Sequence, residues 1–139
     1  APAYQDVILE IKALLHHSME IALAAGAELE SIALDPGIGF GKTLEHNLTI
    51  LRRLGEFGID GRPVLLGVSR KSFIGRIVGD TGPAAREWPT VALTSLARES
   101  GARIFRVHEV RANAQALRMT EAILAESRNQ NPEIRTKSE

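Results

Sequence analysis

The sequence predicts an α/β fold, namely the C-terminal portion of a (β/α)8 TIM barrel with three parallel strands and flanking helices. Two observations carry that expectation. Segments of helical periodicity alternate with short apolar runs beginning at Ser31, Val64 and Arg103, the pattern of a parallel sheet covered by helices. Sorting those runs by period two then separates two unlike faces. Ile32, Leu34, Val64, Leu66, Val68, Phe105 and Val107 share one parity, while Ala33, Asp35, Gly67, Ser69, Ile104, Arg106 and His108 share the other. An open doubly wound sheet buries both faces under helices, so both should be apolar. In a barrel the second face looks into the lumen and turns polar at the C-terminal rim, which is the pattern here. A closed barrel needs eight strands and about 250 residues; the 139 residues here supply three strands.

The elements follow in order. Between Asp6 and Ala25 the residues Val7, Ile8, Ile11, Leu14, Leu15, Met19 and Ala22 recur three and four apart, which predicts an amphipathic helix stopped by Gly26. The run Ser31 to Asp35 reads as a buried strand closed by Pro36-Gly37. Thr43 is placed to cap a second helix with Leu44, Leu48, Leu51 and Leu54 on its apolar face. Val64 to Val68 reads as the second strand. The third helix lies in "PTVALTSLARESG", with proline in its first turn and Gly101 past its end. Arg103 to His108 then forms the third strand and Val110 to Glu126 the fourth helix. Residues 1–126 are expected to form the partial barrel, and 127–139 a polar, disordered tail. The opening "APAYQD" lacks methionine and reads as something other than a natural start.

Composition narrows the function classes. Lysine plus arginine total 17, as do aspartate plus glutamate, so no broad field favours nucleic acid or an anionic membrane, and an anion site must be local. Cysteine is absent, which removes disulfides and thiolate metal sites and agrees with a cytoplasmic location. No apolar run approaches bilayer length.

The stretch "LDPGIGFGKTLEHN", Leu34 to Asn47, holds the densest chemistry. Its "GKT" ending is not a phosphate loop, because Gly37 and Gly41 enclose three residues where that motif needs four. A dinucleotide fingerprint fails too, since a single residue separates Gly39 from Gly41. Together with "GVSRKSF" and "RVHEV" at the next two strand ends, it closely resembles the dihydropteroate synthase family. That likeness covers nearly the whole chain, including "YQDV" and "GARIFRVHEV". Glu109, where the family usually has aspartate, and "REWPT" around Trp88 depart from it.

The resemblance implies condensation of 6-hydroxymethyl-7,8-dihydropterin diphosphate with 4-aminobenzoate to 7,8-dihydropteroate and diphosphate, through loss of diphosphate and attack of the amine on a pterin-methylene cation. It implies pterin binding by Asp35, Lys71 and Arg106, diphosphate binding by Arg106 and His108, and an aminobenzoate slot from Gly39, Phe40 and Ser72. Lys71, Arg106 and His108 are the catalytic candidates. The chemistry of these side chains suits the roles. A carboxylate accepts the parallel N3–H and 2-amino donors of a pterin edge, although an aspartate before Pro-Gly equally serves as a turn former. An arginine fork and an imidazole suit a polyanion. Mg2+ is expected on the diphosphate, with no metal ligand among these residues. Sulfonamide-type analogues as ligands and a homodimer through the late helices are also implied. Arg70 reads as a solvated loop residue, and His16, His17 and His46 as surface residues. A methyltetrahydrofolate:corrinoid methyltransferase-like pterin protein, or a half-barrel without catalysis, are the alternatives.

Overall fold

The computed structural model describes residues 4–80 and 82–130. Helix α1 spans Val7–Ala24, and Asp6 caps it by accepting from the Ile8 and Leu9 N–H groups. Val7, Ile8, Ile11 and Met19 are buried, but Leu14 of the predicted stripe is 63% exposed. The stripe is wider than the surface that α1 meets. The expected first strand contracts to one bridge at Leu34, paired in parallel with Val64. A 3-10 turn over Leu29–Ser31 uses up its start, and Pro36, which has no N–H, closes its end.

Helix α2, Leu44–Arg52, begins with a reciprocal cap. The His46 N–H donates to Thr43 Oγ1 while the Thr43 N–H donates to His46 Nδ1. The expected surface histidine is therefore half-buried, capping α2 and meeting the Tyr4 ring edge-on. The buried row of this segment is Asn47, Ile50 and Leu54, whereas Leu48 is 45% exposed; four leucines mark the apolar side only approximately.

Strands β1, Val64–Leu66, and β2, Ala102–Phe105, pair in parallel. Both are shorter than expected, yet the Arg106 N–H still donates to the Leu66 carbonyl, carrying the alignment to the rim. Between them come α3, Ser72–Val78, and α4, Glu87–Glu99; α5, Val110–Gln130, follows β2. Because α5 runs through Gln130, the predicted polar tail is helical at 127–130, and 131–139 lie outside the described residues, as do 1–3.

The core lies between the helices and the apolar strand parity: Leu34, Val64, Leu66 and Val68 are buried with Ile8, Ile38, Ile50, Leu54 and Phe57. On the opposite parity Ala33 and Ile104 are exposed. Gly67 and Ser69 of that parity are buried, so the two-face sorting holds for the core side, while the face assigned to the lumen is open only in part. Among the described residues no helix is long and apolar enough to cross a membrane.

Candidate active site

A cleft of about 320 Å³ opens at the C-terminal strand ends, lined by Phe40, Gly67, Ser69, Lys71, Arg106, Val107 and His108. Three segments far apart in sequence converge on it because the parallel register aligns their ends. Asp35 joins them through Arg106, whose Nη2 lies 3.8 Å from Asp35 Oδ2. The other Asp35 oxygen accepts the Gly37 N–H at 2.8 Å, the turn-forming role that a sequence reading leaves open. Both roles coexist, since a carboxylate offers about four lone-pair sites.

The glycine-rich loop is held from two sides. The Gly39 N–H donates to Asn47 Oδ1 at 2.8 Å, and Asn47 Nδ2 donates to the Thr43 carbonyl at 2.8 Å. From the opposite end, Lys42 Nζ donates to the carbonyls of Gly37 at 2.8 Å and Phe40 at 3.2 Å. This leaves the Phe40 ring 62% exposed, with Lys71 Nζ 3.4 Å from its centroid. Gly39 has φ +79°, and a Cβ there would sit 2.8 Å from Lys71 Cδ. Glycine is thus required twice, for the left-handed backbone and for the lysine's passage. Gly67 has a similar spatial task, since a Cβ would lie 2.8 Å from Arg106 Nη2.

Three cations crowd one carboxylate. Burial, chiefly, lowers the Lys71 pKa from its ordinary value; Arg106 lowers it further and Asp35 opposes. Lys42 is also lowered, first by burial and then by Lys71, again against Asp35. In the same cleft Ser69 Oγ lies 2.9 Å from His108 Nδ1 and accepts the His108 N–H at 3.2 Å.

Of the predicted site residues, Phe40, Lys71, Arg106 and His108 line one cleft, with Asp35 attached through Arg106 and Gly39 beneath Lys71. Ser72 stands apart from the lining residues, exposed at the first position of α3, which has only seven residues. Arg70 is not merely solvated: its backbone is left-handed at φ 60°, its Nε pairs with Glu87, and its carbonyl accepts from Arg86 Nη1. Sequence reasoning missed Ser69 and Asn47 as supports. Ser69 was marked by sharing the inward parity with Gly67, and Asn47 by interrupting the buried row before Ile50.

The model of the family described as pterin binding enzyme matches residues 1–108. The chain belongs to the pterin binding enzyme family. Within this family it is 47% identical over 123 residues to dihydropteroate synthase of Neisseria meningitidis serogroup C, covering 88% of this chain and 44% of that protein. It is 40% identical over 133 residues to dihydropteroate synthase of Escherichia coli K12, covering 96% and 47% respectively. The chain thus spans about half the length of the curated relatives it matches. The Thermus thermophilus dihydropteroate synthase structure superposes with a TM-score of 0.81 at 48% identity, over 88% of this chain and 48% of that one. A Yersinia pestis dihydropteroate synthase bound to a sulfonamide drug gives 0.87 at 36% identity, over 91% and 46%. The Thermus enzyme has also been solved with 6HMPPP and with 4-aminobenzoate. These neighbours are TIM barrels of which the chain matches the C-terminal half, so the expected fold class holds.

Proposed function

We propose that this chain is the C-terminal half of a cytoplasmic dihydropteroate synthase. The observation that carries the reading is the cleft in which Phe40, Lys71, Arg106 and His108 meet, with Asp35 at 3.8 Å from Arg106. In this reading the Asp35 carboxylate accepts the two parallel donors of the pterin edge, and Lys71 leaves the Phe40 ring to donate to the ring carbonyl side. Arg106 and His108 hold the diphosphate. As the carbon–oxygen bond breaks, its electron pair leaves with the diphosphate, and the two cationic or polar donors stabilise the charge that develops there. The aminobenzoate nitrogen then forms the new bond to the methylene carbon and loses a proton. Phe40, with the Gly39 backbone, supplies the flat wall that aligns the aromatic amine; Ser72 receives its carboxylate at the rim, and sulfonamides compete for the same slot. Most of the rate comes from placement and electrostatics, and the chain offers no cysteine nucleophile.

Among the described residues no group of three His, Cys, Asp or Glu side chains could hold a metal ion. The residues here do not fit a magnesium site by themselves. In the proposal the ion is bound by the diphosphate, and no step of this chain's residues runs through it. A homodimer through α4 and α5 belongs to the same reading, supported by exposed Leu96, Met119 and Ile123 on those helices.

The test is calorimetric binding of the pterin diphosphate to the full chain, and then release of diphosphate when 4-aminobenzoate and the N-terminal half of the Neisseria relative are added. Binding followed by turnover supports the synthase. Binding of methyltetrahydrofolate in preference to the pterin diphosphate favours the methyltransferase-like alternative, and binding of neither favours a half-barrel without catalysis.

A further inference from the structure

The Ser69–His108 contact goes beyond the diphosphate role given to His108 above, and rests on that role. Ser69 is only 7% exposed, so its hydroxyl must find partners inside the protein. Its oxygen already accepts the backbone N–H of His108 at 3.2 Å. Its proton has one acceptor within reach among the hydrogen bonds of this site, His108 Nδ1 at 2.9 Å. A neutral imidazole carries one proton, and the nitrogen that accepts a hydrogen bond cannot hold it. We infer that Ser69 is a positioning residue that fixes the His108 ring and its tautomer, so that Nε2–H is the donor offered to the anion in the cleft.

The arrangement is economical in geometry. One hydroxyl grips the same histidine twice, through its backbone and its ring, which sets both strand-end position and ring rotation. Ser69 lies on the inward parity of the segment following β1, and His108 on the same parity after β2. The bond therefore spans neighbouring parallel segments at the rim, next to Arg106. If His108 instead carried its neutral proton on Nδ1, Nε2 would present a lone pair toward a polyanion. Ser69 excludes that state by using Nδ1 as an acceptor. The threonine variant keeps the hydroxyl and alanine does not, so the two separate the hydrogen bond from the volume it occupies.

The experiment is a long-range proton–nitrogen correlation spectrum of the imidazoles in the full 15N-labelled chain, recorded with neutral histidines and assigned with His108→Gln. The expected result is a single Nε2–H tautomer for His108. Ser69→Ala is expected to move the His108 nitrogens toward the averaged values of free imidazole, and Ser69→Thr to restore them. Titration with inorganic diphosphate should perturb the His108 Nε2–H, with affinity about tenfold weaker in Ser69→Ala. A wild-type His108 protonated on Nδ1, or a Ser69→Ala spectrum identical to wild type, overturns the inference. If diphosphate leaves the wild-type spectrum unchanged, the anion role of the cleft fails, while the tautomer still decides the role of Ser69.

Discussion

Arg106→Ala tests the division of labour in the cleft, and its expected size can be worked from geometry. The guanidinium is 65% exposed and faces a 36% exposed Asp35 at 3.8 Å. Coulomb attraction at that distance is about 1 kcal/mol in water and about 4 kcal/mol at the effective dielectric of a protein surface, before desolvation and side-chain entropy are subtracted. Measured exposed pairs retain about 0–1 kcal/mol, so the substitution should change folding stability by less than about 1 kcal/mol. A charged donor to a bound polyanion contributes more, about 1.5–3 kcal/mol, or about ten- to two-hundredfold in affinity. Arg106→Ala should therefore weaken the pterin diphosphate by that factor and leave the same pterin without its phosphates nearly unaffected. Asp35→Asn replaces a double acceptor by one donor and one acceptor, and should weaken both ligands together. Isothermal calorimetry of the two ligands with the two variants and the parent provides four comparisons. Equal weakening of both ligands by Arg106→Ala would refute the anion assignment.

Gly67→Ala should displace the Arg106 guanidinium without removing the charge, because its Cβ would occupy space 2.8 Å from Nη2; since that exposed side chain can shift, the same calorimetry should show a selective loss of diphosphate affinity smaller than that of Arg106→Ala. Asn47→Ala should lower stability by about 1–3 kcal/mol by leaving the Gly39 N–H without its acceptor, read as a lower urea midpoint at unchanged slope. Light scattering should find a dimer or larger species. Leu96→Lys with Ile123→Lys should shift it toward monomer if the exposed α4 and α5 side chains form the contact. Burial, chiefly, and Arg106 lower the Lys71 pKa, so it gives up its proton at a lower pH than an ordinary lysine. Pterin affinity should fall as pH rises through that lowered value, and Lys71→Arg should move this alkaline limb upward. For stability the sign is opposite: the folded chain binds fewer protons than the unfolded chain between the lowered pKa and the ordinary lysine value, so this lysine's cost is relieved as pH rises across that window.

Residues whose role is written in backbone alternation were legible. Leu34, Val64, Leu66 and Val68 fell on the core side because a strand has a fixed period, and the same rule put Arg106 and His108 together at the rim. A helix end was legible where a side chain bonds its own backbone, as at Thr43. Strand lengths were not, because a strand ends where its neighbour ceases to pair, and no local signal records that. Leu14 and Leu48 were misplaced for a related reason: hydrophobicity says that a face is apolar, while burial depends on what lies opposite. Ser69 and Asn47 escaped notice because their partners are His108, on another element, and the Gly39 backbone. Only the folded chain brings those partners within reach.

The cleft's resting contacts bear on how it would bind. Each of its cations already has a partner: Lys71 the Phe40 ring, Lys42 two loop carbonyls, and Arg106 the Asp35 carboxylate. A pterin diphosphate would not meet bare charges but would exchange these contacts for its own. Drawing Arg106 onto the diphosphate would free one Asp35 oxygen, and drawing Lys71 onto the pterin ring would uncover the Phe40 face. The two changes favour the same state, since Lys71 and Arg106 repel one another and both interact with Asp35. Net affinity is then a difference between two sets of hydrogen bonds and ion pairs, smaller than the new contacts alone would give. The coupling also means that Lys71 and Arg106 substitutions should not be additive. Residues that share Asp35 as a partner are linked through it, and a double-mutant cycle on them would measure that link.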